Sequence, residues 1–139
     1  MSMELTIVTP EGETFREAVD RVVFPGSEGE FGVLEGHERF LTPLTIGQVE
    51  ILQGGATRIA AISGGFADVG GEKVVALVDT CELAEKIDVP RAEAARDRAR
   101  AELDKLSPSR AEEASFRMQE QALQRALVRL QAASTTARP

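Results

Sequence analysis

The sequence predicts an all-β sandwich of about ten strands, closed like a flattened barrel, followed by an α-helical antiparallel hairpin. Two observations predict this division. All twelve glycines lie before residue 72, where they separate short aliphatic segments, and no glycine follows. Beyond residue 86 the apolar residues recur every three or four positions, which is the period of an α-helix. We therefore predict a β-sandwich domain over residues 1–86 and a two-helix hairpin over residues 87–139.

The segments of the first domain have the length and composition of β-strands. They are β-branched or aliphatic runs, several of them with alternating polarity: LTIV, RVVF, QVEIL, RIAAI and KVVALV. Pro-Gly and Gly-Gly pairs stand between the runs, and both are typical of turns. Eight to ten strands at this spacing predict two sheets packed face to face.

The second domain begins with a helix that carries a narrow apolar stripe. Its members recur at helical spacing: Ala92, Ala95, Ala99, Leu103 and Leu106. Asp88 is placed to cap the N-terminus, and Pro90 falls in the first turn, where its missing N–H costs little. The serines and proline of residues 107–109 are expected to end this helix.

A second helix is predicted to begin near Arg110, because Ser109 and Glu112 form the S-x-x-E pattern of a capping box. Its apolar face is expected to contain five residues: Met118, Ala122, Ala126, Leu127 and Leu130. Two helices joined by so short a break form an antiparallel hairpin. Because the facing stripes are mostly alanine, they bury little area, and composition leaves a mobile and a permanently docked hairpin equally open.

The charge distribution argues against a nucleic-acid-binding protein. Residues 1–86 contain fifteen acidic and six basic side chains, whereas residues 87–139 contain eight acidic and ten basic ones. Phosphate binding needs a basic face and base stacking needs aromatic platforms, yet the chain has no Trp or Tyr. No run approaches the roughly eighteen apolar residues of a membrane span, and the first residues lack the pattern of a signal peptide.

Residues suited to catalysis are scarce. The chain has one histidine, His37, and one cysteine, Cys81, so an intrachain disulfide and a His-rich metal site are excluded and a reducing compartment is expected. The glycine-rich phosphate-binding motifs and the nucleophile-elbow motif are absent. We therefore expect a protein that is not an enzyme, with no metal site. A small hydrolase that uses His37 and Cys81 is kept as a rival hypothesis.

Arginines of the two helices are predicted to meet. An antiparallel pairing about the predicted turn places Arg91 opposite Arg125, and it places Arg129 one step from Asp88. Arg125 and Arg129 are four residues apart and share a helix face. Three guanidinium groups would then converge near the loop that carries Glu82, and guanidinium suits phosphate or carboxylate. Spacing alone favours ion pairs with the two acids over a bound ligand.

Three segments of the first domain carry linked motifs: PGSEGEFGVLEGHERFLTPL (residues 25–44), IGQVEI (46–51) and ISGGFADV (62–69). In their order and separation they resemble the epsilon subunit of bacterial ATP synthase, a central-stalk part of a proton-translocating rotary ATPase. The resemblance runs through the whole chain, including the hairpin. The chain departs from the family pattern at residues 38–40, which are Glu-Arg-Phe in place of Ala-Pro-Leu, and at Asp68, in place of Glu.

The resemblance implies a non-catalytic rotor subunit that couples proton-driven c-ring rotation to ATP synthesis. In the family the hairpin permits turnover when it is folded on the sandwich, and it blocks ATP hydrolysis when it extends into the catalytic head. The implied partners are the gamma subunit, the c-ring loops and the alpha and beta subunits of the head. Glu30 and His37 are implied contacts of the c-ring and gamma, and Arg110 and Arg117 of the head. The implied location is peripheral, on the cytoplasmic face of the bacterial inner membrane, with only indirect membrane contact.

The segment IDVPRA at the domain junction matches the pattern Ile/Leu-Asp-x-x-Arg-Ala, through which some family members bind ATP. By the resemblance, five residues would hold a regulatory ATP: Glu82, Asp88, Arg91, Arg125 and Arg129. The arginines would meet the phosphates and the acids the base or ribose, so ATP would be sensed and not hydrolysed; no cofactor is required. The alternative hypothesis is a stand-alone ligand-binding β-sandwich with a helical tail, which would not copurify with a gamma subunit.

Overall fold

The computed structural model describes residues 2–106 and 113–136; the predicted helix break and capping box at residues 107–112 lie outside these ranges. The described elements are β1 (Met3–Thr9), β2 (Gly12–Val19), β3 (Arg21–Gly26), β4 (Gly29–Leu34), β5 (Phe40–Gln53), β6 (Ala56–Val69), β7 (Lys73–Val78), β8 (Cys81–Leu83), a 3-10 helix (Ala84–Lys86), α1 (Val89–Lys105) and α2 (Glu113–Thr136). The predicted fold class is confirmed, with eight strands in the described ranges instead of about ten. The number is lower because β5 and β6 each continue for 14 residues through positions that contain glycine or proline.

A single folded sheet forms both layers of the sandwich. Its strand order is β2-β1-β7-β6-β5-β3-β4, with β8 paired to β6. Residues 65–69 of β6 pair with β7, and residues 60–62 pair with β8. The strand changes partners at Gly64, whose carbonyl accepts a hydrogen bond from the N–H of Asp79 at 3.1 Å. We call the half with β2, β1 and β7 the first layer and the half with β8, β3 and β4 the second layer; β5 and β6 run through both.

Side chains alternate between the two faces of each strand, and those that point inward form the main core between the layers. Its fully buried members are large aliphatic and aromatic residues, among them Leu5, Ile7, Phe24, Val49, Ile51, Val69 and Val74. Each such side chain stabilises the fold by about 1.5–3 kcal/mol when it leaves water. The sandwich therefore has a substantial core to which the helices do not contribute.

The hairpin packs on the outer face of β6 through a second, smaller cluster. Ile59 and Ala61 point toward the helices because they alternate along the strand with the core residues Ala60 and Ile62. This cluster, called the hairpin interface below, consists of Ile59, Ala61, Ala84, Ile87, Ala92 and Ala132. Four of its six buried members are alanines, of which only Ala92 belongs to the predicted stripe, and partly buried Val128, Leu130 and Ala133 pack against them. The hairpin interface has fewer large buried side chains than the main core and buries less apolar surface.

The apolar face of α2 differs from the predicted one. Ala126 and Ala132 are fully buried, but Met118 is 62% exposed and Leu127 is 40% exposed. Met118 precedes Gln121, where α2 begins to line a depression shared with the sandwich. Leu127 lies about 140° around the helix from Ala132. The prediction was wrong for these two residues because α2 packs against α1 and the sheet along only part of its length.

A charged cluster fastens the start of the hairpin to the sandwich. Arg58 of β6 binds the carboxylates of Glu17 in β2 and Glu85 in the 3-10 helix, each at 3.1 Å, and lies 5.3 Å from the centre of the Phe15 ring. Hydrogen bonds from Gln53 and then Arg58 hold the pKa of Glu17 below its ordinary value. A backbone hydrogen bond, and then Arg58, lower the pKa of Glu85. Their stabilising contribution is present at neutral pH and is lost as the pH falls through these lowered values.

Replacing Gly65 with alanine is expected to lower the free energy of unfolding by about 2–4 kcal/mol. Gly65 has a φ of +149°, and a Cβ atom there would overlap the backbone carbonyl oxygen of Leu77 on β7. Urea denaturation measures the loss. Gly71→Ala is the matched control, since a Cβ atom at Gly71 meets nothing within 4 Å. Equal stabilities of the two variants would contradict this explanation.

Candidate functional site

A cleft of about 630 Å³ lies where the sandwich meets the open end of the hairpin. The β1–β2 turn, the segment that leads into β8, and the two helices form its walls. Its charged lining residues are Glu11, Asp79, Glu82, Asp88, Arg91, Arg98 and Arg129. Pockets for small molecules commonly measure roughly 300–1,000 Å³, so the cleft has the size and the charges of a site for a small polar ligand.

Glu82 joins both helices to the sandwich. Its Oε1 accepts a hydrogen bond from Nη2 of Arg91 and forms an ion pair with Nε of Arg129, each at 3.0 Å. Glu82 lies on strand β8, not in the loop that the sequence predicted. The side chains of Glu82 and Arg129 are 23% and 18% exposed, whereas that of Arg91 is 64% exposed. Solvent therefore screens the pair with Arg129 less than the pair with Arg91.

Asp88 is the N-cap of α1, which confirms the prediction for its local role. Its Oδ1 accepts a hydrogen bond from the backbone N–H of Arg91 at 3.1 Å. Pro90 occupies one of the first two helical positions, where no intrahelical donor is lost. The cap fixes the backbone that carries Arg91, so Asp88 acts on the cleft partly through the position of that arginine.

The structure places Arg125 outside this cleft. It lines a neighbouring depression of about 440 Å³, and Asp79 lines both. Among the residues that the structure describes, no carboxylate forms an ion pair with Arg125. Arg125 and Arg129 share a helix face but are about 6 Å apart along the axis, and only Arg129 binds Glu82. Of the three guanidinium groups expected to converge, two meet at Glu82, those of Arg91 and Arg129.

Sequence reasoning missed Arg98 and three residues of the β1–β2 hairpin, Thr9, Glu11 and Thr14, which also line the cleft. Arg98 carried a signal, because it follows Arg91 by seven residues, or about two helical turns. The β1–β2 residues carried none, because only tertiary folding brings this hairpin to the motif at the domain junction.

Comparison with known proteins identifies the family. The family described as "ATP synthase, Delta/Epsilon chain, beta-sandwich domain" matches residues 2–84, and "ATP synthase, Delta/Epsilon chain, long alpha-helix domain" matches residues 85–134. The chain belongs to the ATP synthase delta/epsilon chain family.

Individual members of the family are similar over nearly the whole chain. The ATP synthase epsilon chain of Geotalea uraniireducens is 44% identical over 136 residues, which cover 98% of this chain and 96% of the relative. The corresponding chain of Geobacter sulfurreducens is 43% identical with the same coverage. In the cryo-EM structure of Euglena gracilis mitochondrial ATP synthase (OSCP/F1/c-ring, rotational state 1), a matching chain gives a TM-score of 0.76 at 28% identity, covering 99% of this chain and 82% of that one. A chain of the Tetrahymena thermophila mitochondrial ATP synthase central stalk and c-ring shares the fold at 14% identity, with a TM-score of 0.59, covering 96% of this chain and 97% of that one.

Membership in the ATP synthase delta/epsilon chain family confirms the resemblance that the motifs carried. The chain is a stalk subunit of ATP synthase and not the catalytic subunit. Neither described helix combines the length and apolar character that crossing a membrane requires. In residues 2–106 and 113–136, no group of three or more His, Cys, Asp and Glu side chains is placed to hold a metal ion.

The two sandwich residues that the family resemblance implies as partner contacts lie on and just after β4. Glu30 is exposed near the start of the strand and lines a depression with Val128 of α2. His37 follows the end of the strand, and its ring lies 5.0 Å from that of Phe40. The two residues therefore lie at opposite ends of β4 and do not form one compact site.

Of the two arginines that the resemblance implies as contacts of the head, the structure describes Arg117, which lies near the N-terminal end of α2. Arg117 is 71% exposed and pairs with Glu113 on its own helix at 2.9 Å. Arg110 lies outside the described residues. An exposed pair within one helix is weak and leaves the guanidinium of Arg117 accessible to a partner.

The rival hypothesis of a hydrolase lacks an activated nucleophile. Burial, and then the charge of Glu82, raise the pKa of Cys81 to about 11. His37, the one residue able to serve as its base, has its Nδ1 atom 2.8 Å from the carbonyl oxygen of Glu38 and makes no hydrogen bond to the thiol. The thiol therefore stays protonated at neutral pH.

Cys81 is expected to react with Ellman's reagent at neutral pH at least about a hundredfold more slowly in the native chain than in urea. The ordinary pKa of a thiol is 9.0 and that of Cys81 is about 11, so its reactive thiolate fraction is smaller by about that factor. The native rate should climb as the pH approaches 11. Equal rates in native and unfolded protein would show that the thiol is not buried in this way.

Proposed function

We propose that the chain is a rotor subunit whose sandwich binds the gamma subunit and the c-ring loops, and whose hairpin restrains ATP hydrolysis and senses ATP. The observation that carries this proposal is the contrast between the main core, built from large aliphatic and aromatic side chains, and the mostly alanine hairpin interface. A subunit with a fixed part and a moving part needs two interfaces of unequal strength. Rotation of the fixed part with gamma and the c-ring would couple proton flow to ATP synthesis in the alpha–beta head.

An uncovered apolar patch supports docking of the sandwich on a partner. Phe66 and Leu77 are register partners on β6 and β7 and are 53% and 54% exposed, and Leu41 of β5 is 68% exposed. They lie on the outer face of the first layer, since the alternate residues Ala67 and Ala76 face the core. Apolar patches of this kind mark interaction sites. We assign the patch to the gamma subunit.

The edge of the second layer supports a contact with the c-ring. β4 is the terminal strand of the sheet; Glu30 lies on it, and His37 follows its end. We assign these two residues to the c-ring loops and the adjoining part of gamma. In this arrangement the chain is peripheral, on the cytoplasmic face of the bacterial inner membrane, and meets the membrane through the complex.

A weakly held hairpin can leave the sandwich. The hairpin interface buries two large side chains, Ile59 and Ile87, beside four alanines that each contribute a methyl group worth about 0.8 kcal/mol. It therefore resists opening less than the main core would. Folded on the sandwich, the hairpin leaves turnover unrestrained. Extended along gamma, it would enter the alpha–beta head and block hydrolysis, with Arg110 and Arg117 against an acidic segment of the beta subunit.

The cleft supports ATP binding to the folded form alone, because its walls come from both the sandwich and the hairpin. Arg91 and Arg129 would bind the phosphates, Arg125 would approach from the neighbouring depression, and Asp88 and Glu82 would face the base or ribose. ATP at ten times its dissociation constant stabilises the folded form by about 1.4 kcal/mol. That amount is comparable to the burial of one or two methyl groups, so it can shift a hairpin held mainly by alanines.

Removal of residues 87–139 is expected to leave a folded sandwich that still binds gamma, and to release ATP hydrolysis from restraint. The main core contains no residue of the helices, so the fragment keeps the contacts that hold it together. The ATPase rates of enzyme reassembled with the full chain or with the fragment measure the effect. Copurification of the fragment with gamma is the control, and continued inhibition by a bound fragment would reject the role of the hairpin.

Calorimetry on the full chain is expected to show ATP binding that weakens at least about tenfold in Arg91→Ala and Arg129→Ala, since each removes a charged hydrogen-bond donor worth about 1.5–3 kcal/mol. Arg125→Ala should weaken binding less, because this arginine lies outside the cleft. Arg117→Ala removes the same charge from α2 away from the cleft and serves as the control. A flat titration of the unmodified chain at millimolar ATP would reject ATP sensing.

A further inference from the structure

The cleft already holds an anion, and that anion belongs to the chain itself. A single oxygen of Glu82 forms ion pairs with a guanidinium of each helix, both at 3.0 Å, and the one with Arg91 is also a hydrogen bond. Arginine pairs arranged around one oxygen in this way are also suited to a phosphate oxygen. Glu82 therefore engages one nitrogen of each guanidinium and occupies the position between them that a phosphate oxygen would take.

We propose that Glu82 is an internal competitor for the ligand of the cleft: it holds Arg91 and Arg129 when the cleft is empty, and the phosphates of a nucleotide must displace it. This inference rests on the proposed binding of ATP and concerns the regulation of the same site. It changes the role of Glu82 from a contact of the base or ribose to a latch that the ligand replaces.

The net charge of the cleft favours displacement of Glu82 by a phosphate over binding of the phosphate beside it. Four acids and three arginines line it: Glu11, Asp79, Glu82, Asp88, Arg91, Arg98 and Arg129. The lining is thus net negative before any ligand enters, and a polyphosphate brings further negative charge. Like charges at close range disfavour each other, so beyond its contacts with Arg98 a polyphosphate gains binding energy where Arg91 and Arg129 exchange the carboxylate for its oxygens.

The two halves of the latch differ in strength. The side chain of Arg91 is 64% exposed, so its pair with Glu82 is screened and exchanges readily; Arg129 is 18% exposed and is the firmer half. Nη2 of Arg129 also lies 3.5 Å from Oγ1 of Thr80, which precedes β8. A phosphate would therefore replace Glu82 first at Arg91 and then at Arg129, so that α2 stays attached to the sandwich during the exchange.

One consequence is that the empty chain is already biased toward the folded hairpin. Glu82 links β8 to α1 and α2 at once, as a bound phosphate would. ATP then stabilises the folded form only by the difference in free energy between the phosphate–arginine contacts and the Glu82–arginine contacts that they replace. The affinity for ATP is correspondingly lower than the arginines alone would provide.

Glu82→Gln tests this inference, because it keeps the shape of the side chain and an acceptor oxygen but removes the charge. Calorimetry with inorganic tripolyphosphate and with ATP should show binding about tenfold tighter in this variant than in the unmodified chain, a factor that corresponds to about 1.4 kcal/mol. Glu93→Gln is the matched control. Glu93 is exposed on α1, two residues after Arg91, and does not line the cleft, so its loss of charge should change binding less than about twofold.

The results separate the failure of this inference from the failure of ATP sensing. If the unmodified chain binds ATP and Glu82→Gln binds tripolyphosphate no more tightly, the competitor role is rejected and ATP sensing stands. If Glu82→Gln binds ATP more weakly but tripolyphosphate equally well, Glu82 contacts the base or ribose of ATP, and the inference is also rejected. Flat titrations of both chains with both ligands at millimolar concentration reject ATP sensing and the competition together.

Hydrogen exchange of the ligand-free chains tests the latch without a ligand. The amides of α2 should exchange several-fold faster in Glu82→Gln than in the unmodified chain or in Glu93→Gln, because the charged link to the sandwich is lost. Unchanged exchange of the main-core strands shows that the variant is folded. Equal α2 exchange in all three chains would reject the latch.

Discussion

Strand β6 has to bury side chains on both of its faces, and the behaviour of the molecule depends on this constraint. Ala60 and Ile62 fill the core between the layers, while Ile59 and Ala61 face the helices. The hairpin can dock only on a strand that the sandwich has already ordered, whereas the sandwich core needs no residue from the helices. In the proposed function the hairpin is therefore the part that moves, and the sandwich supplies the fixed surface.

The short strand β8 ties the electrostatic site to this constraint. Glu82 is the register partner of Ala61, so the acid that binds the arginines of both helices stands beside a residue of the hairpin interface. We therefore expect the ion pairs of Glu82 and the apolar contacts of the hairpin interface to form and break together. On the other side, Arg58 holds Glu85 of the 3-10 helix to the sandwich at 3.1 Å. This ion pair anchors the chain as far as the 3-10 helix, so under the proposed function the pivot would lie between that helix and the cap of α1.

Much of this architecture could be predicted from the sequence, because its signals are local. The change from strand to helical period marks the two parts, and the capping role of Asp88 needs only its neighbours. The position of Arg125 could not be predicted, because an offset of one turn between two helices moves a guanidinium from one depression to the next. The exposure of Leu127 and the contribution of the β1–β2 hairpin to the cleft also depend on tertiary packing, which no spacing within one element encodes.

The central claim is that the hairpin is held weakly enough for ATP to set its position, and distances within the assembled ATP synthase test it most directly. Spin labels at Glu28→Cys and Gln131→Cys report the separation of sandwich and α2; both sites are exposed, and Gln131 lines a depression with residues of the sandwich. The half-buried Cys81, with a pKa of about 11, should react with the label much more slowly than the two exposed cysteines. Two distance populations are predicted, with the shorter one gaining weight as ATP rises. A single distance at every ATP concentration would show a permanently fixed hairpin and contradict the claim.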